Sequence, residues 1–224
     1  MIVGGLYWGP RARSARLVEN MSQKPAWLTE HGKPWLRGES KVAYENPWIR
    51  ITEHDAVAPT GAAAFYGVVG FKNYALAVLP IDADGSVVLV GQHRFPFSDY
   101  SWEIPEGGGL KDEDPLEGAK RELAEEAGLA AGEWREILRV QLSNSVTDEL
   151  AIGYLATDLR PASEAAHADD TEDLAMVRVP FREALQAASA GYLRDALTVA
   201  MLLRAYHMAQ EGLLSASLAR AMLG

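Results

Sequence analysis

The first recognisable pattern in the chain is a series of short runs in which apolar and polar residues alternate and β-branched residues are frequent. Between residues 41 and 69 it reads KVAYE, WIRITEHDAV and AAFYGVV, with Asn46-Pro47 and Pro59-Thr60-Gly61 between the runs. Runs of this length that alternate with turn-forming residues predict strands joined by tight connections. We therefore expect an antiparallel sheet within residues 25–70.

Longer apolar runs follow in the middle of the chain. Residues 73–81 and 86–95 are almost continuously apolar, and Asp82-Ala83-Asp84-Gly85 separates them. The run lengths predict buried central strands, and the Asp-Gly ending of the spacer predicts a hairpin turn between them. Three more strands are predicted further along, over residues 134–142, 149–157 and 174–179.

The C-terminal part of the chain changes to helical spacing. Residues 181–190 and 193–211 carry apolar side chains at helical steps, such as Leu197 and Met201. Such a stripe predicts two helices that pack on the sheet. The residues after Gly212 form a tail rich in Ala and Leu, with the composition of a short helix.

One more helix is delimited by sequence signals at both ends. Asp114 followed by Pro115 predicts a helix start, because the carboxylate can cap backbone N–H groups and proline fits the first turn. Glu117, at the third helical position, can reach back towards the cap. Gly128 is expected in the left-handed conformation that ends a helix. The buried face of this helix is formed by Leu116, Ala119, Leu123 and Ala127.

Three carboxylates crowd one turn of this helix. Glu122 and Glu126 are four residues apart, and Glu125 lies beside them. Like charges at this spacing destabilise a helix unless a cation binds among them. The chain has no Cys, and no two His residues have paired spacing, so oxygen ligands favour Mg²⁺, Mn²⁺ or Ca²⁺ over zinc or copper. A Mg²⁺ site would indicate a phosphate-containing substrate, because Mg²⁺ in proteins leaves some of its coordination positions to substrate phosphate oxygens.

Consecutive glycines at residues 107–109 follow Glu106 and precede this helix. Without side chains they allow the backbone to approach a metal or a ligand closely, so we expect a loop here. We expect Arg121 to form ion pairs with acids such as Glu117, four residues earlier. Glu113 is expected to organise the loop.

These residues together match a known signature. Gly107, Glu113 and the run RELAEEAGL at residues 121–129 have the spacing G-x5-E-x7-R-E-U-x-E-E-x-G-U, where U is a bulky aliphatic residue. This pattern resembles the signature of the Nudix hydrolases. The upstream run VLVGQHRFPFSDYSWEIPEGGG and the downstream run GYLRDALTVAMLL are similar to the ADP-ribose pyrophosphatase branch of that family.

The resemblance implies a fold, a reaction and a cofactor. The fold is α/β, a Nudix α/β/α sandwich with a mixed sheet, to which the N-terminal antiparallel β subdomain is added. The reaction is the metal-dependent hydrolysis of a nucleoside diphosphate linked to another group. The cofactor is Mg²⁺, with Mn²⁺ as an alternative, bound by Glu122, Glu125, Glu126 and the main-chain carbonyl of Glu106. The same three helix carboxylates are the predicted catalytic residues.

The resemblance also implies substrate contacts and a general base. Arg94 follows a predicted strand, and its guanidinium suits a bidentate phosphate contact; a surface ion pair is the alternative. Glu149, in the Asp148-Glu149 pair, is a predicted substrate-binding residue. In the resembled branch an acidic loop supplies a glutamate that approaches the metals or acts as base. Glu172 or Glu164 would fill that role here, in a segment whose alternative interpretation is a solvated loop.

Aromatic residues are concentrated near the N-terminus. Trp27, Trp35 and Trp48 are half of the six tryptophans. In the resembled branch an N-terminal sheet builds a homodimer and lends an aromatic residue to stack the partner subunit's purine. We assign that contact to Trp48, with Arg50 nearby as a further substrate-binding residue. Core packing is the alternative for each tryptophan.

Composition narrows the classes of function. The net charge of −10 over 224 residues provides no basic field for a nucleic-acid backbone, so we expect no nucleic-acid partner. The resemblance implies a small nucleotide-sugar substrate instead. The absence of Cys and of long apolar spans favours a cytoplasmic protein without a membrane segment. We divide the chain into a flexible leader, an N-terminal β region, a Nudix domain with C-terminal helices and a tail: residues 1–24, 25–70, 71–212 and 213–224.

Three functions stay open at this point. The first is hydrolysis of ADP-ribose to AMP and ribose 5-phosphate. The second keeps the chemistry and changes the substrate, to GDP-mannose or another nucleoside diphosphate derivative. The third is a nucleotide-binding module without turnover. The presence of Glu122, Glu125 and Glu126 counts against the third function, because a module that only binds has no need of them.

Overall fold

The computed structural model describes residues 24–163 and 173–224. Residues 1–23 of the predicted leader, together with Glu164 and Glu172, lie outside the described residues. The elements, in chain order, are β1 (Leu36–Glu45), β2 (Ile49–Val57), β3 (Ala63–Phe71), β4 (Asn73–Pro80), β5 (Ser86–Arg94), β6 (Asp99–Glu103), β7 (Glu106–Leu110), α1 (Pro115–Ala127), β8 (Leu129–Gln141), β9 (Leu150–Pro161), β10 (Ala175–Pro180), α2 (Phe181–Ser189), α3 (Ala196–Gln210) and α4 (Ala216–Leu223).

The described strands form three sheets. The predicted N-terminal sheet is present as β1-β2-β3, and all its pairs are antiparallel. A mixed four-stranded sheet has the order β7-β4-β9-β8, in which only β4 and β9 run parallel. A third, antiparallel sheet has the order β10-β5-β6. The mixed sheet confirms the predicted fold class.

The predicted hairpin between β4 and β5 is only partly correct. A tight turn is present, because the Asp82 N–H donates to the Ser86 carbonyl at 2.9 Å and Gly85 has a φ of 85°. Beyond a single bridge between Ile81 and Val87, however, the two strands separate. Strand β4 joins the mixed sheet and β5 joins the third sheet, so the turn is a corner between two layers.

The predicted glycine loop is in fact a strand. Residues Glu106–Leu110 form β7, which pairs with β4 at the edge of the mixed sheet. Glycine allows a close fit there, since a Cβ on Gly109 would lie 2.4 Å from Cδ1 of Leu76. Strand propensity does not reveal this element, because its glycines pack only in the context of β4.

Helix α1 has the predicted ends. Asp114 accepts a hydrogen bond from the Leu116 N–H at 3.0 Å, and Pro115 is the first helical residue. Gly128 adopts the left-handed conformation, with a φ of 61°. Glu117 does not reach back to the cap, because its carboxylate pairs with Lys120 at 2.7 Å.

Apolar cores lie on both faces of the mixed sheet. Successive residues of a strand point to opposite faces. Accordingly, Leu76 and Val78 of β4 pack with α1, whereas Leu79 packs with the C-terminal helices and with Phe181. Strand β9 alternates in the same way. The sheet is therefore covered by helices on both sides.

The C-terminal segment is part of the core. Helix α3 begins at Ala196, later than predicted, because Asp195 caps it by accepting from the Thr198 N–H at 2.7 Å. The predicted tail contains α4, whose Met222 is buried. A Cβ on Gly85 would lie 2.2 Å from the Ala221 carbonyl oxygen, so α4 packs directly on the turn between β4 and β5. In the part of the chain that the structure describes, no helix has the length and apolar character to cross a membrane.

Substitution of Met222 tests this packing. Met222→Ala should lower the free energy of unfolding by about 2–5 kcal/mol, because it leaves a cavity under α4. Met176→Ala is the matched control, since Met176 is 52% exposed while Met222 is 1% exposed. The control should change the free energy of unfolding by no more than about 0.5 kcal/mol in urea titrations. Equal losses in the two variants would contradict the docked position of α4.

Candidate active site

Two carboxylates of α1 lie against the start of β7. Glu126 Oε2 accepts a hydrogen bond from the Glu106 N–H at 2.9 Å. A Cβ on Gly107 would lie 2.0 Å from Glu122 Oε2, so with any other residue at 107 that carboxylate would have to move. Glycine at 107 thus allows the Glu122 carboxylate to lie directly against the strand.

The other side of the same segment faces the start of α3. Thr198 Oγ1 accepts from the Ile104 N–H at 3.0 Å and is 3.3 Å from Glu106 Oε1, to which it can donate. Burial raises the pKa of Glu106 well above its usual range, and the negative charge of Asp195 beside it raises that pKa further. Glu106 therefore lies between the two helices in a region of concentrated negative charge.

Arg94 is one of the cations of this region, and Arg121, 3.8 Å from Glu122, is another. Its Nε lies 3.1 and 3.0 Å from the two carboxylate oxygens of Glu103, and its Nη2 also contacts Oε2. The hydrogen bond with Glu103 raises the pKa of Arg94, and the charges of Glu106 and Glu126 act in the same direction. The ion pair foreseen as the alternative for Arg94 is thus formed, but with a buried acid beside the carboxylates of α1.

Arg121 has a different partner from the predicted one. It pairs with Glu113 at 3.2 Å and donates to the Gly108 carbonyl at 3.3 Å, whereas Glu117 pairs with Lys120. The fold explains the difference, because β7 brings the segment before α1 alongside the helix. Arg121 and Glu113 together tie β7 to α1.

The donor set fits a hard divalent cation. Within residues 24–163 and 173–224, no three His, Cys, Asp or Glu side chains converge closely enough to hold a metal ion as they stand. The carboxylates of Glu122 and Glu126 nevertheless share one short stretch of backbone at Glu106 and Gly107. Carboxylate and carbonyl oxygens are the ligands that Mg²⁺ and Mn²⁺ prefer. Glu125 lies on the same helix and is half-buried.

A cavity of about 610 Å³ opens beside Arg94. Its volume lies in the range of small-molecule sites. Its walls combine aromatic rings with charged groups, and they include Arg94, Phe97, Tyr100, Glu103, Arg194 and Asp195. Glu103 in this wall pairs with Arg94, and Asp195 lies beside Glu106. The cavity therefore adjoins the carboxylate cluster, which consists of Glu106, Glu122 and Glu126.

The other predicted substrate residues lie elsewhere in the chain. Trp48 is 68% exposed at the turn between β1 and β2, and Arg50 pairs with Glu45 on the same sheet at 2.9 Å. Glu149 precedes β9; burial raises its pKa, and the neighbouring charge of Asp148 adds to the effect. Trp48 forms backbone hydrogen bonds with Asn46 and Lys72, and the Arg50 side chain bonds Glu45. None of these partners belongs to the carboxylate cluster.

The segment before Glu149 joins the N-terminal sheet to the rest of the protein. The Val69 N–H donates to the Val146 carbonyl at 2.9 Å, and Asp148 accepts from the Phe71 N–H at 2.8 Å. A cleft of about 230 Å³ at this junction is lined by Trp35 and by residues of both parts. The rings of Trp35 and Tyr66 meet edge to face there, with centroids 5.5 Å apart.

Sequence reasoning missed three polar residues of the site: Glu103, Asp195 and Thr198. Glu103 and Thr198 are the buried polar residues of the described chain. Each stands in an otherwise apolar run, WEIP and ALTVAML. A polar residue in a run that is predicted to be buried must find a partner, and this was the available signal.

Comparison with known proteins identifies the family. The family model described as the NUDIX domain matches residues 71–198. The chain is 31% identical over 150 residues to the ADP-ribose pyrophosphatase of Bacillus subtilis, and the alignment covers 67% of this chain and 80% of that protein. It is 34% identical over 143 residues to the GDP-mannose pyrophosphatase of Salmonella arizonae, with 61% and 74% covered.

A solved structure described as an ADP compounds hydrolase has the same fold. It superposes with a TM-score of 0.73 at 19% identity, over 82% of this chain and 98% of that one. The fold, the spaced carboxylates on α1 and the matched relatives all lead to one assignment. The chain belongs to the NUDIX family, in its ADP-ribose pyrophosphatase-like branch, and is a NUDIX pyrophosphohydrolase.

Proposed function

We propose that the protein hydrolyses the diphosphate bond of ADP-ribose or a related nucleoside diphosphate sugar, giving a nucleoside monophosphate and a sugar phosphate. The observation that carries this proposal is the contact of Glu122 and Glu126 with the backbone of Glu106 and Gly107. The contact gathers oxygen ligands at one place beside an arginine. Mg²⁺, or Mn²⁺ in its place, is the proposed cofactor.

In this proposal the chain holds the metal through Glu122, Glu126, Glu125 and the Glu106 carbonyl. When bound, divalent cations neutralise the diphosphate and lower the pKa of a coordinated water. The reaction adds the water oxygen to one phosphorus, breaks the bridging P–O bond and passes a proton to a base. Glu172 is our candidate for that base.

Arg94 is the proposed phosphate-binding side chain. Glu103 engages one edge of its guanidinium, through Nε and Nη2. Because a guanidinium has five N–H groups in a planar fork, the opposite edge has further donors for a phosphate oxygen. The buried carboxylate of Glu103 therefore orients Arg94 and limits the rotamers that it samples. Glu149 is the proposed contact with the rest of the substrate.

A substrate panel tests the proposal. We expect Mg²⁺-dependent phosphate release, after coupling to a phosphatase, with ADP-ribose preferred over GDP-mannose, UDP-glucose, NADH and diadenosine polyphosphates. EDTA should abolish it. A preference for GDP-mannose would keep the chemistry and favour the second candidate, which the 34% identical relative supports. No turnover on any member would contradict hydrolysis and leave a binding module.

Neutralising one carboxylate tests the role of α1. Glu126→Gln keeps the shape and can still accept from the Glu106 N–H, but it loses the charge. We expect kcat to fall at least about 100-fold, as when a group that stabilises transition-state charge is removed. The melting temperature should not fall, because like-charge repulsion in the helix decreases. Glu117→Gln, at the exposed pair with Lys120, is the control and should retain wild-type kcat. Wild-type turnover in Glu126→Gln would exclude Glu126 from the mechanism.

We further propose that the N-terminal β region forms a homodimer and that Trp48 stacks the base in the partner subunit. The support is an apolar surface, since large apolar side chains are exposed on this sheet. They include Trp35, Leu36, Val42, Tyr44, Trp48 and Phe65.

Analytical ultracentrifugation and kinetics test the dimer proposal together. The protein should sediment at twice the chain mass, and Trp48→Ala should raise KM about 5- to 150-fold, from the loss of stacking worth about 1–3 kcal/mol. Trp27→Ala, which changes a tryptophan of similar exposure, should retain the wild-type KM. A monomer, or an unchanged KM in Trp48→Ala, would contradict this arrangement.

A further inference from the structure

Thr198 occupies an unusual position for a threonine in a helix. It lies in the first turn of α3 and is completely buried, next to the apolar residues Leu197, Met201 and Leu202. A threonine hydroxyl inside a helix commonly bonds a carbonyl of the preceding turn. Here the hydroxyl instead makes its contacts with Ile104 and Glu106, which are 94 and 92 residues away in sequence.

The contacts of Thr198 belong to a group of hydrogen bonds that hold the backbone around Pro105. Proline has no N–H, so the backbone donors of this stretch are the N–H groups of the residues on either side. The Ile104 N–H donates to Thr198 Oγ1 at 3.0 Å, and the Glu106 N–H donates to Glu126 Oε2 at 2.9 Å. The Pro105 carbonyl accepts from the Val78 N–H at 2.9 Å. Three different elements, α3, α1 and β4, thus hold three consecutive residues.

The hydroxyl also reaches the side chain of the next residue. Thr198 Oγ1 accepts one hydrogen bond from the Ile104 N–H and lies 3.3 Å from Glu106 Oε1, to which it can donate. Asp195 fixes the start of α3, because its Oδ2 accepts from the Thr198 N–H at 2.7 Å. Asp195 thus fixes the backbone of Thr198, and the Thr198 hydroxyl contacts the segment at the Ile104 N–H and at the Glu106 carboxyl group.

We propose that Thr198 is a positioning residue that sets the orientation of the Glu106 main chain for metal binding. The role rests on the proposed function, in which the Glu106 carbonyl is a metal ligand. Thr198 does not touch the metal or the substrate. It acts by restricting the rotation of the peptide groups around Glu106, whose N–H is already bound by Glu126.

Valine and serine at this position separate the hydroxyl from the methyl group. Thr198→Val keeps the shape and loses both hydrogen bonds, whereas Thr198→Ser keeps the hydroxyl. Thr157→Val is the matched control, because it removes a hydroxyl 3.2 Å from the Glu133 carboxylate at an exposed site. The first readout is Mn²⁺ affinity without substrate, measured from the free-ion signal in electron paramagnetic resonance.

Loss of a residue that orients a metal ligand costs about 10- to 100-fold in metal affinity or activity. We expect Thr198→Val to weaken Mn²⁺ binding and to lower kcat by at least about 10-fold. KM at saturating Mn²⁺ should stay close to that of the wild type, and Thr198→Ser and Thr157→Val should resemble the wild type in both readouts. If Thr198→Val does not fold, Thr198→Ala, which adds no bulk, serves in its place.

A double-mutant cycle with Glu106→Ala tests whether Thr198 affects Mn²⁺ affinity through the main chain or through the Glu106 side chain. Because Glu106→Ala keeps the main chain and the Ile104 contact, Thr198→Val should still weaken Mn²⁺ binding in the Glu106→Ala background. Disappearance of that loss in the Glu106→Ala background would overturn the main-chain role, as would equal Mn²⁺ affinity in Thr198→Val and wild type. Equal damage in Thr198→Ser and Thr198→Val would also overturn it, since packing alone would then explain the loss. Absence of Mn²⁺ binding in the wild type would overturn the proposed function itself.

Discussion

The packing of acidic side chains against one backbone segment is the constraint on which the site depends. Glu122 and Glu126 approach the main chain of Glu106 and Gly107 so closely that a side chain at 107 would occupy the same space. Carboxylates repel one another, and burial makes their charge more costly. The arrangement therefore suits a protein that binds cations there, and it combines a glycine, a short strand and a helix at fixed separations in sequence.

The two apolar cores make this arrangement rigid. One core attaches α1 to one face of the mixed sheet, and the other attaches the C-terminal helices to the opposite face. The segment from Ile104 to Gly107 lies at the edge of the sheet, where it meets the carboxylates of α1 and the capped start of α3. The site contains elements from both faces of the sheet, so both cores stabilise its geometry.

Local signals were readable from the sequence, and long-range partners were not. The ends of α1 follow from Asp114, Pro115 and Gly128, because capping involves neighbouring residues. The spaced acids also indicate chemistry without a structure. By contrast, the partner of Arg121, the strand character of β7 and the separation of β4 from β5 all depend on contacts between distant segments. The contribution of Thr198 is of the same kind, since its partners are more than ninety residues away.

Anomalous diffraction from crystals containing Mn²⁺ and a non-hydrolysable ADP-ribose analogue is the most direct test of this account. We expect anomalous peaks next to the carboxylates of Glu122 and Glu126 and the Glu106 carbonyl. The diphosphate of the analogue should lie between the metal and Arg94. Peaks at any other cluster of acids, with these carboxylates unligated, would contradict it.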